Sequence, residues 1–155
     1  MTLFQLIRTI ESVALAQPTI RSVVENDVYR LNAIPDARYG VFAWLQGEHR
    51  TAWEEADTMV YAFTLFYVDR LTFDRKNEIH VQSTGIETLE NILRALEQRG
   101  IFPEGQHSFR TFNERFSDEC AGVYCTVSLQ VPLDLVCADE FPDFNNDFNE
   151  DFKIF

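Results

Sequence analysis

The chain is poor in the residues that build several common types of site. It has only six glycines, which are dispersed, so no glycine-rich loop is available to cradle a phosphate. Its three histidines, His49, His80 and His107, are isolated from one another and from cysteine, whereas compact zinc sites place ligands three or four residues apart. We therefore predict no catalytic residue, no metal and no cofactor.

Cysteines and long hydrophobic runs are also scarce. Cys120, Cys125 and Cys137 are an odd number with no repeated pair spacing, which indicates a reducing compartment and free, buried thiols. The sequence has no run of 18 apolar residues and no signal-peptide pattern, so we predict neither a membrane span nor export. The chain is expected to remain in a cytoplasm after synthesis.

Basic residues are few. The chain has 13 lysines and arginines and 25 acidic residues, so its net charge is -12. This charge should repel nucleic acid and anionic membranes. Two DNA-related roles remain open: the wall of a ring past which DNA slides, or a mimic of the DNA phosphate array. By contrast, 46% of the residues are hydrophobic and 14 are phenylalanine, which predicts a folded chain.

The longest strand signal lies at residues 58–68. Both alternating faces of this segment are largely apolar, so we expect a central strand covered by helices on one side and by a helix or another chain on the other. Helical spacing predicts two helices, at residues 3–16 with Thr2 as N-cap and from Glu78 to Gly100, the second burying Ile79, Ile86, Leu89, Leu93 and Leu96.

Shorter segments complete the predicted sheet. Strands are expected at residues 23–24, 28–31, 39–45 and 50–54, with Gly47 and Glu48 as a break, and at 107–116 and 121–131 as a hairpin beside the central strand. The predicted fold class is therefore α+β, with a single mixed, mainly antiparallel sheet and two helices packed on it. At 155 residues the chain suits one core domain, residues 1–136.

The C-terminal arm, residues 137–155, differs from the rest. Its phenylalanines are spaced 3, 4, 4 and 3 residues apart, which is the spacing of one helical face, while most of the residues between them are acidic or polar. We favour an arm that inserts these rings into a groove of a partner, although packing on its own domain and disorder remain open. The five rings are Phe141, Phe144, Phe148, Phe152 and Phe155.

Two stretches carry a resemblance to a known group of proteins. Residues 63–83, which begin Phe-Thr-Leu-Phe-Tyr-Val-Asp-Arg-Leu, and residues 112–123 resemble tail-completion, tail-terminator or neck proteins of tailed phages. The resemblance implies a non-enzymatic virion protein, assembled in the host cytoplasm, that forms a homo-oligomeric ring through which DNA passes without specific binding. Other tail, neck or portal proteins would be its partners. The polar residues of these stretches are expected to form charge pairs between loops or subunits, although surface solvation remains open: Asp69, Arg70, Arg115 and Glu119.

Two further functions remain open. An acidic inhibitor that mimics DNA would need its acids on one exposed face. A metal-dependent phosphodiesterase would need Asp36, Asp74 and Lys76 to converge in one pocket, because two acids must hold the metal and a lysine must lie near the attacking water.

Overall fold

The computed structural model describes residues 1–28, 38–52, 58–115 and 119–132. Two helices and six strands lie within these ranges. In chain order they are α1 (Leu3–Leu15), β1 (Ser22–Val24), β2 (Val41–Ala52), β3 (Thr58–Arg70), α2 (Glu78–Gln98), β4 (Phe102–Pro103), β5 (Phe109–Arg115) and β6 (Glu119–Pro132). The predicted strand at residues 28–31 and the arm lie outside the described residues, apart from Val28.

All six strands belong to one sheet. Its order is β1-β2-β3-β6, and β4 and β5 pair with the far side of β6. Only β1 and β2 are parallel, and every other pair is antiparallel. The predicted α+β class, the central position of β3 and the β5-β6 hairpin beside it are therefore confirmed.

Both helices pack on the same face of the sheet. Thr2 caps α1 as predicted, and its hydroxyl accepts from the backbone N–H of Gln5 while the Gln5 side chain accepts from the Thr2 N–H. Such a capping box satisfies two amides that the first turn would otherwise leave unpaired. Leu6 and Ile10 then enter the core that α1, α2 and the sheet share.

The predicted buried face of α2 is confirmed at Leu89, Leu93 and Leu96 and is wrong nearer the start of the helix. Ile79 is 75% exposed and Ile86 is also exposed. Two of the residues that face the sheet, Gly85 and Thr88, are not large and apolar. The full set is Val81, Gly85, Thr88, Leu89, Ile92, Leu93 and Leu96. A Cβ built on Gly85 would lie 2.8 Å from the Tyr67 ring, so α2 crosses the sheet too closely for a side chain there.

The predicted break at Gly47 and Glu48 is wrong, because β2 continues through both residues. Its pairing with β3 shifts between Gln46 and His49, where three steps along β2 match two steps along β3. This β-bulge inserts one extra residue and reverses which side chains face the helices. The sequence alternation therefore breaks there as it would at a turn.

The two faces of β3 are covered unequally. Toward the helices, Phe63, Leu65 and Tyr67 are buried in the main core. On the other face no helix lies among the residues that the structure describes, and Thr64 and Phe66 are only half-buried. The expected cover by a second helix is thus not found in this part of the chain.

Candidate functional site

Asp69 and Arg70 end the central strand beside the first turns of α2. The Tyr67 hydroxyl donates to Asp69 Oδ2 (3.3 Å), and the Arg70 backbone N–H donates to Asp69 Oδ1 (2.8 Å). Burial, then the nearby Asp69 carboxylate, raises the pKa of Tyr67 well above its ordinary value, so this hydroxyl remains a hydrogen-bond donor at neutral pH.

A cavity of about 520 Å³ opens at this end of the sheet. Its charged and polar wall comes from Arg21, Asp69, Arg70 and His80, and the rings of Tyr39 and Tyr67 form much of the remainder. The Arg70 guanidinium lies 5.0 Å from the centre of the Tyr39 ring, in a cation–π contact. The cavity thus offers positive charge beside aromatic surface.

Arg70 also borders a second concavity, of about 540 Å³, on its other side. Leu71, Thr72 and Glu119 line it, together with Phe73, whose side chain is fully exposed.

The backbone places Arg115 at the same end of the sheet. Arg115 lies opposite Glu119 in the β5-β6 ladder, and the Glu119 carbonyl accepts from the Leu71 N–H (3.0 Å). The sheet thus brings Asp69, Arg70 and the backbone of Arg115 to the same end of their strands. Charge pairing between loops or subunits remains a prediction, and so do the contacts of Phe141, Phe144, Phe148, Phe152 and Phe155, which lie outside the described residues.

The loop between β3 and α2 forms its own hydrogen-bond network. The Thr72 hydroxyl donates to Asp74 (2.8 Å), which lowers the pKa of this carboxyl, and Lys76 Nζ lies 3.5 Å from Asp74. Asn77 closes the loop by donating to the Arg70 carbonyl (3.1 Å). Asp36 lies outside the described residues, so convergence of Asp36, Asp74 and Lys76 stays untested.

The face of the sheet opposite the helices carries an aromatic cluster that sequence reasoning missed. Phe66, Phe112 and Tyr124 come from three adjacent strands, with ring centres 5.8 to 6.4 Å apart. Gly122 makes room for it, because a Cβ there would lie 2.5 Å from the Phe112 ring. Only the strand order reveals this cluster, since its members are far apart in sequence.

The hydrogen-bond pattern shows which backbone groups point away from the sheet at its two sides. Leu71 donates to the carbonyl of Glu119 on the β3 side of β6, whereas Glu104 donates to Ser128 (2.8 Å) on the β4 side. In an antiparallel ladder, alternate residues bond to the same neighbour. Odd-numbered residues of β6 therefore bond to β3, and even-numbered ones to β4 and β5.

It follows that, among the described strands, none pairs with the outer side of β5. Phe112 of β5 lies opposite the even-numbered Gly122, so the even-numbered residues of β5 bond to β6. The N–H and C=O groups of Thr111 and Asn113 then point outward, and no described strand pairs with them.

The other side of the sheet is open along half of β2. The short strand β1 pairs only with residues 41–43 of β2, and the Gln46 N–H then donates to the Asn26 side chain (3.4 Å). Beyond the bulge, Arg50 bonds toward β3, so the backbone of His49 and Thr51 faces outward without a described partner strand.

The charge of the described residues is nearly balanced. They contain 13 acidic and 11 basic residues, and seven of the remaining 12 acids lie after Pro132. Several acids in the described part are neutralised by ion pairs: Arg8 with Glu11, Arg50 with Glu104, Lys76 with Asp74 and Arg94 with Glu90. The excess negative charge therefore lies mostly outside the described residues.

The cysteines and histidines have structural contacts. Cys120 and Cys125 are buried free thiols, as predicted, and burial raises the pKa of Cys125 to about 11. His107 Nε2 lies 3.1 Å from Glu90. Cys137 lies outside the described residues, within which no three metal-ligating side chains cluster. The prediction of no metal site stays a prediction.

Comparison with known proteins leaves the family open. No protein-family model matches the chain, and no curated protein matches it either. Among the described helices, none is long and apolar enough to cross a membrane.

Proposed function

We propose that the chain is a non-enzymatic structural subunit that joins copies of itself into a ring, as a tail terminator or neck connector of a tailed phage. The observation that supports it best is a pair of sheet edges that no described strand covers, one on β5 and one on the distal half of β2. Long unpaired edges invite pairing with another chain, and most monomeric proteins cover or shorten them.

The two edges are suited to each other because they lie on opposite sides of the same sheet. A strand edge of one subunit can pair with the other edge of the next subunit, which extends the sheet by β-augmentation. Because the two edges differ, the contact is head-to-tail, and such contacts build a ring when the rotation between subunits closes.

The proposed ring would surround DNA without specific contacts. A net charge of -12 disfavours retention of DNA in the central opening. The two ring faces would meet different tail, neck or portal proteins of the virion, and the cavity at Arg70 and the exposed Phe73 offer surface for such contacts.

The near-balanced charge of the described residues disfavours the alternative of a DNA mimic. A phosphate mimic needs unpaired acids on one face, yet four ion pairs neutralise acids in this part of the chain. An acidic mimic would then have to rely largely on acids outside the described residues.

A substitution at the β5 edge tests the proposal. Proline at position 111 lacks the backbone N–H, which points outward there and donates no hydrogen bond to β6. The substitution therefore leaves the β5-β6 ladder intact. We expect Thr111→Pro to keep the fold, measured by its thermal transition, and to abolish the oligomer of the full-length chain in light scattering.

Thr111→Ala is the matched control, because it shortens the same side chain and keeps the N–H. It should assemble like the unmodified chain. An oligomer of unchanged mass and stability in folded Thr111→Pro would refute pairing through this edge. A full-length chain that is monomeric at every concentration would refute the ring itself.

A further inference from the structure

We propose that β5 of one copy pairs with the distal half of β2 of the next copy as an antiparallel ladder, with Thr111 opposite Thr51. The helices of all copies then lie on one side of a continuous sheet. This inference rests on the proposed function, because it gives the contact between subunits of the ring its orientation and its register. The partner of each edge is a second copy of this chain.

The outward-pointing residues of the two edges carry their side chains on the same face of the sheet. Thr111 lies opposite Val123, which belongs to the core that the helices cover. Thr51 lies opposite Met59, which packs against the same core. Residues directly opposite each other share a face, so both edges turn the backbone of a helix-side residue outward.

This shared face links the direction of the pairing to the side on which the helices lie. In an antiparallel ladder, two residues that exchange both hydrogen bonds are directly opposite, and their side chains share a face. Antiparallel pairing therefore places the helices of both copies on the same side. In a parallel ladder, a residue bonds to the two neighbours of the residue opposite it, whose side chains point the other way. Parallel pairing therefore places the helices on opposite sides.

Ring closure selects the antiparallel arrangement. Within one chain β5 runs opposite to β2, so a neighbour in the same orientation presents its β2 antiparallel to β5. Repeating this step is a rotation about one axis, which can close. The parallel arrangement turns each neighbour over about the direction of growth, and its repetition gives an open filament with helices on alternating sides.

The two edges also match in length. The part of β2 that β1 leaves open, residues 46–52, is as long as β5, which has seven residues. In the proposed register, residues 110–115 of one copy lie along residues 47–52 of the next. Because β1 pairs only with residues 41–43, it lies beyond the end of the incoming strand and does not collide with it.

Charges on the face away from the helices select the register. In the proposed register Phe112 lies opposite Arg50, which already pairs with Glu104 (2.6 Å), so an uncharged neighbour suits it. A shift of two residues that keeps the hydrogen bonds would place Arg110 opposite Arg50, and like charges directly opposite each other are destabilising. A shift in the other direction leaves a shorter ladder, with only residues 112–115 beside β2.

The pairing offsets each copy along the strands. Thr111 is level with Tyr67 of the central strand, whereas Thr51 is level with Met59. The difference is about 26 Å at about 3.3 Å per residue. A closed sheet absorbs such an offset when its strands are tilted relative to the ring axis, so we expect oblique strands in the ring.

Two full-length variants with one added cysteine each test the inference. Both carry Cys137→Ser, and the remaining native thiols, Cys120 and Cys125, are buried. One variant adds Thr51→Cys and the other adds Thr111→Cys. Residues that exchange two hydrogen bonds across an antiparallel ladder have Cα atoms about 5.5 Å apart, a distance that a disulfide can span.

The two variants assembled together are the decisive sample. After mild oxidation we expect a covalent species of two chains, about 36 kDa from the 18.0 kDa of each, on a denaturing gel without reductant. Each variant alone should give single chains, because a head-to-tail contact keeps like positions apart. As a control, Thr126→Cys, at an exposed position of β6, replaces Thr51→Cys and should not cross-link to Thr111→Cys.

Other outcomes overturn the inference. If the variants form rings in reductant and oxidation yields no mixed species, the edges do not pair in this register, while the proposed ring still stands. A cross-link within either variant alone would indicate a head-to-head contact. Electron microscopy of the unmodified chain is an independent readout, and a ring wall with helices on both sides would contradict the orientation. If the unmodified chain is monomeric, the proposed function fails and the inference fails with it.

Discussion

Gly85 is the point where a single missing Cβ lets α2 lie against the sheet. An added Cβ would lie 2.8 Å from a Tyr67 ring carbon and 2.9 Å from Val123 Cγ2. Both neighbours are buried in the main core, so neither can move away without disturbing other contacts.

We therefore expect Gly85→Ala to destabilise the protein, although alanine favours helix by about 1 kcal/mol. Overpacking a core costs about 1–3 kcal/mol, so a net loss of up to about 2 kcal/mol should result. Urea denaturation measures the change in the free energy of unfolding. Ser83→Ala, at an exposed position of the same helix, is the control, and its stability should lie within about 0.5 kcal/mol of the unmodified chain. Equal or greater stability of Gly85→Ala would contradict the tight crossing.

The two described thiols should be chemically silent in the folded state. Both are completely buried, and at pH 8 only about 0.1% of Cys125 is thiolate because its pKa is about 11. In a Cys137→Ser variant, we expect Ellman's reagent to label no thiol in native protein and two thiols in denaturant. Rapid labelling of native protein would show that the sheet opens.

At the scale of elements, His107 connects the segment after β4 to α2. Hydrogen bonding from His107, and then from Arg94, lowers the pKa of Glu90 below its ordinary value near 4.5. A carboxyl whose pKa is lower in the folded state stabilises the fold above its unfolded pKa, and this contribution disappears as pH falls through the folded pKa.

Glu90→Gln should consequently be less stable than the unmodified chain at pH 7, by up to about 1 kcal/mol for such a partly exposed pair. The difference should disappear as the pH falls below 4.5, and Glu87→Gln, at an exposed position of the same helix, is the matched control. Urea denaturation at several pH values measures it. A difference independent of pH would mean that the Glu90 charge has no role.

Local sequence patterns predicted the elements better than their contacts. The capping residue Thr2, the central strand β3 and the β5-β6 hairpin follow from spacing within one segment. The β-bulge after Gln46 was hidden, because one inserted residue breaks the alternation of β2 as a turn would. In α2, the buried leucines were predicted correctly, but Ile79 and Ile86 are exposed. The start of the buried face was missed because contact with Tyr67 selects a glycine, which carries no hydrophobic signal.

Parts of the candidate site could not be predicted from the sequence. Asp69 and Arg70 were singled out from the sequence, yet their cavity requires Arg21 and Tyr39, which are some 30 to 50 residues earlier in the chain. The outward-facing backbone of Thr111 depends on hydrogen-bond parity across three strands. No single segment carries that information.

At the scale of the whole molecule, the described residues form a nearly neutral scaffold, and most of the excess negative charge lies outside them. The described residues supply two open edges and a cavity, and the arm supplies acids and five phenylalanines. Such a division suits a subunit whose interactions are completed by copies of itself.

The most direct test of the ring is the mass and shape of the purified full-length chain, from light scattering over a concentration range and from electron microscopy of the same sample. We expect one closed species whose mass is a fixed multiple of 18.0 kDa and whose images show a central opening. A monomer throughout, or open polymers that lengthen with concentration, would contradict the account.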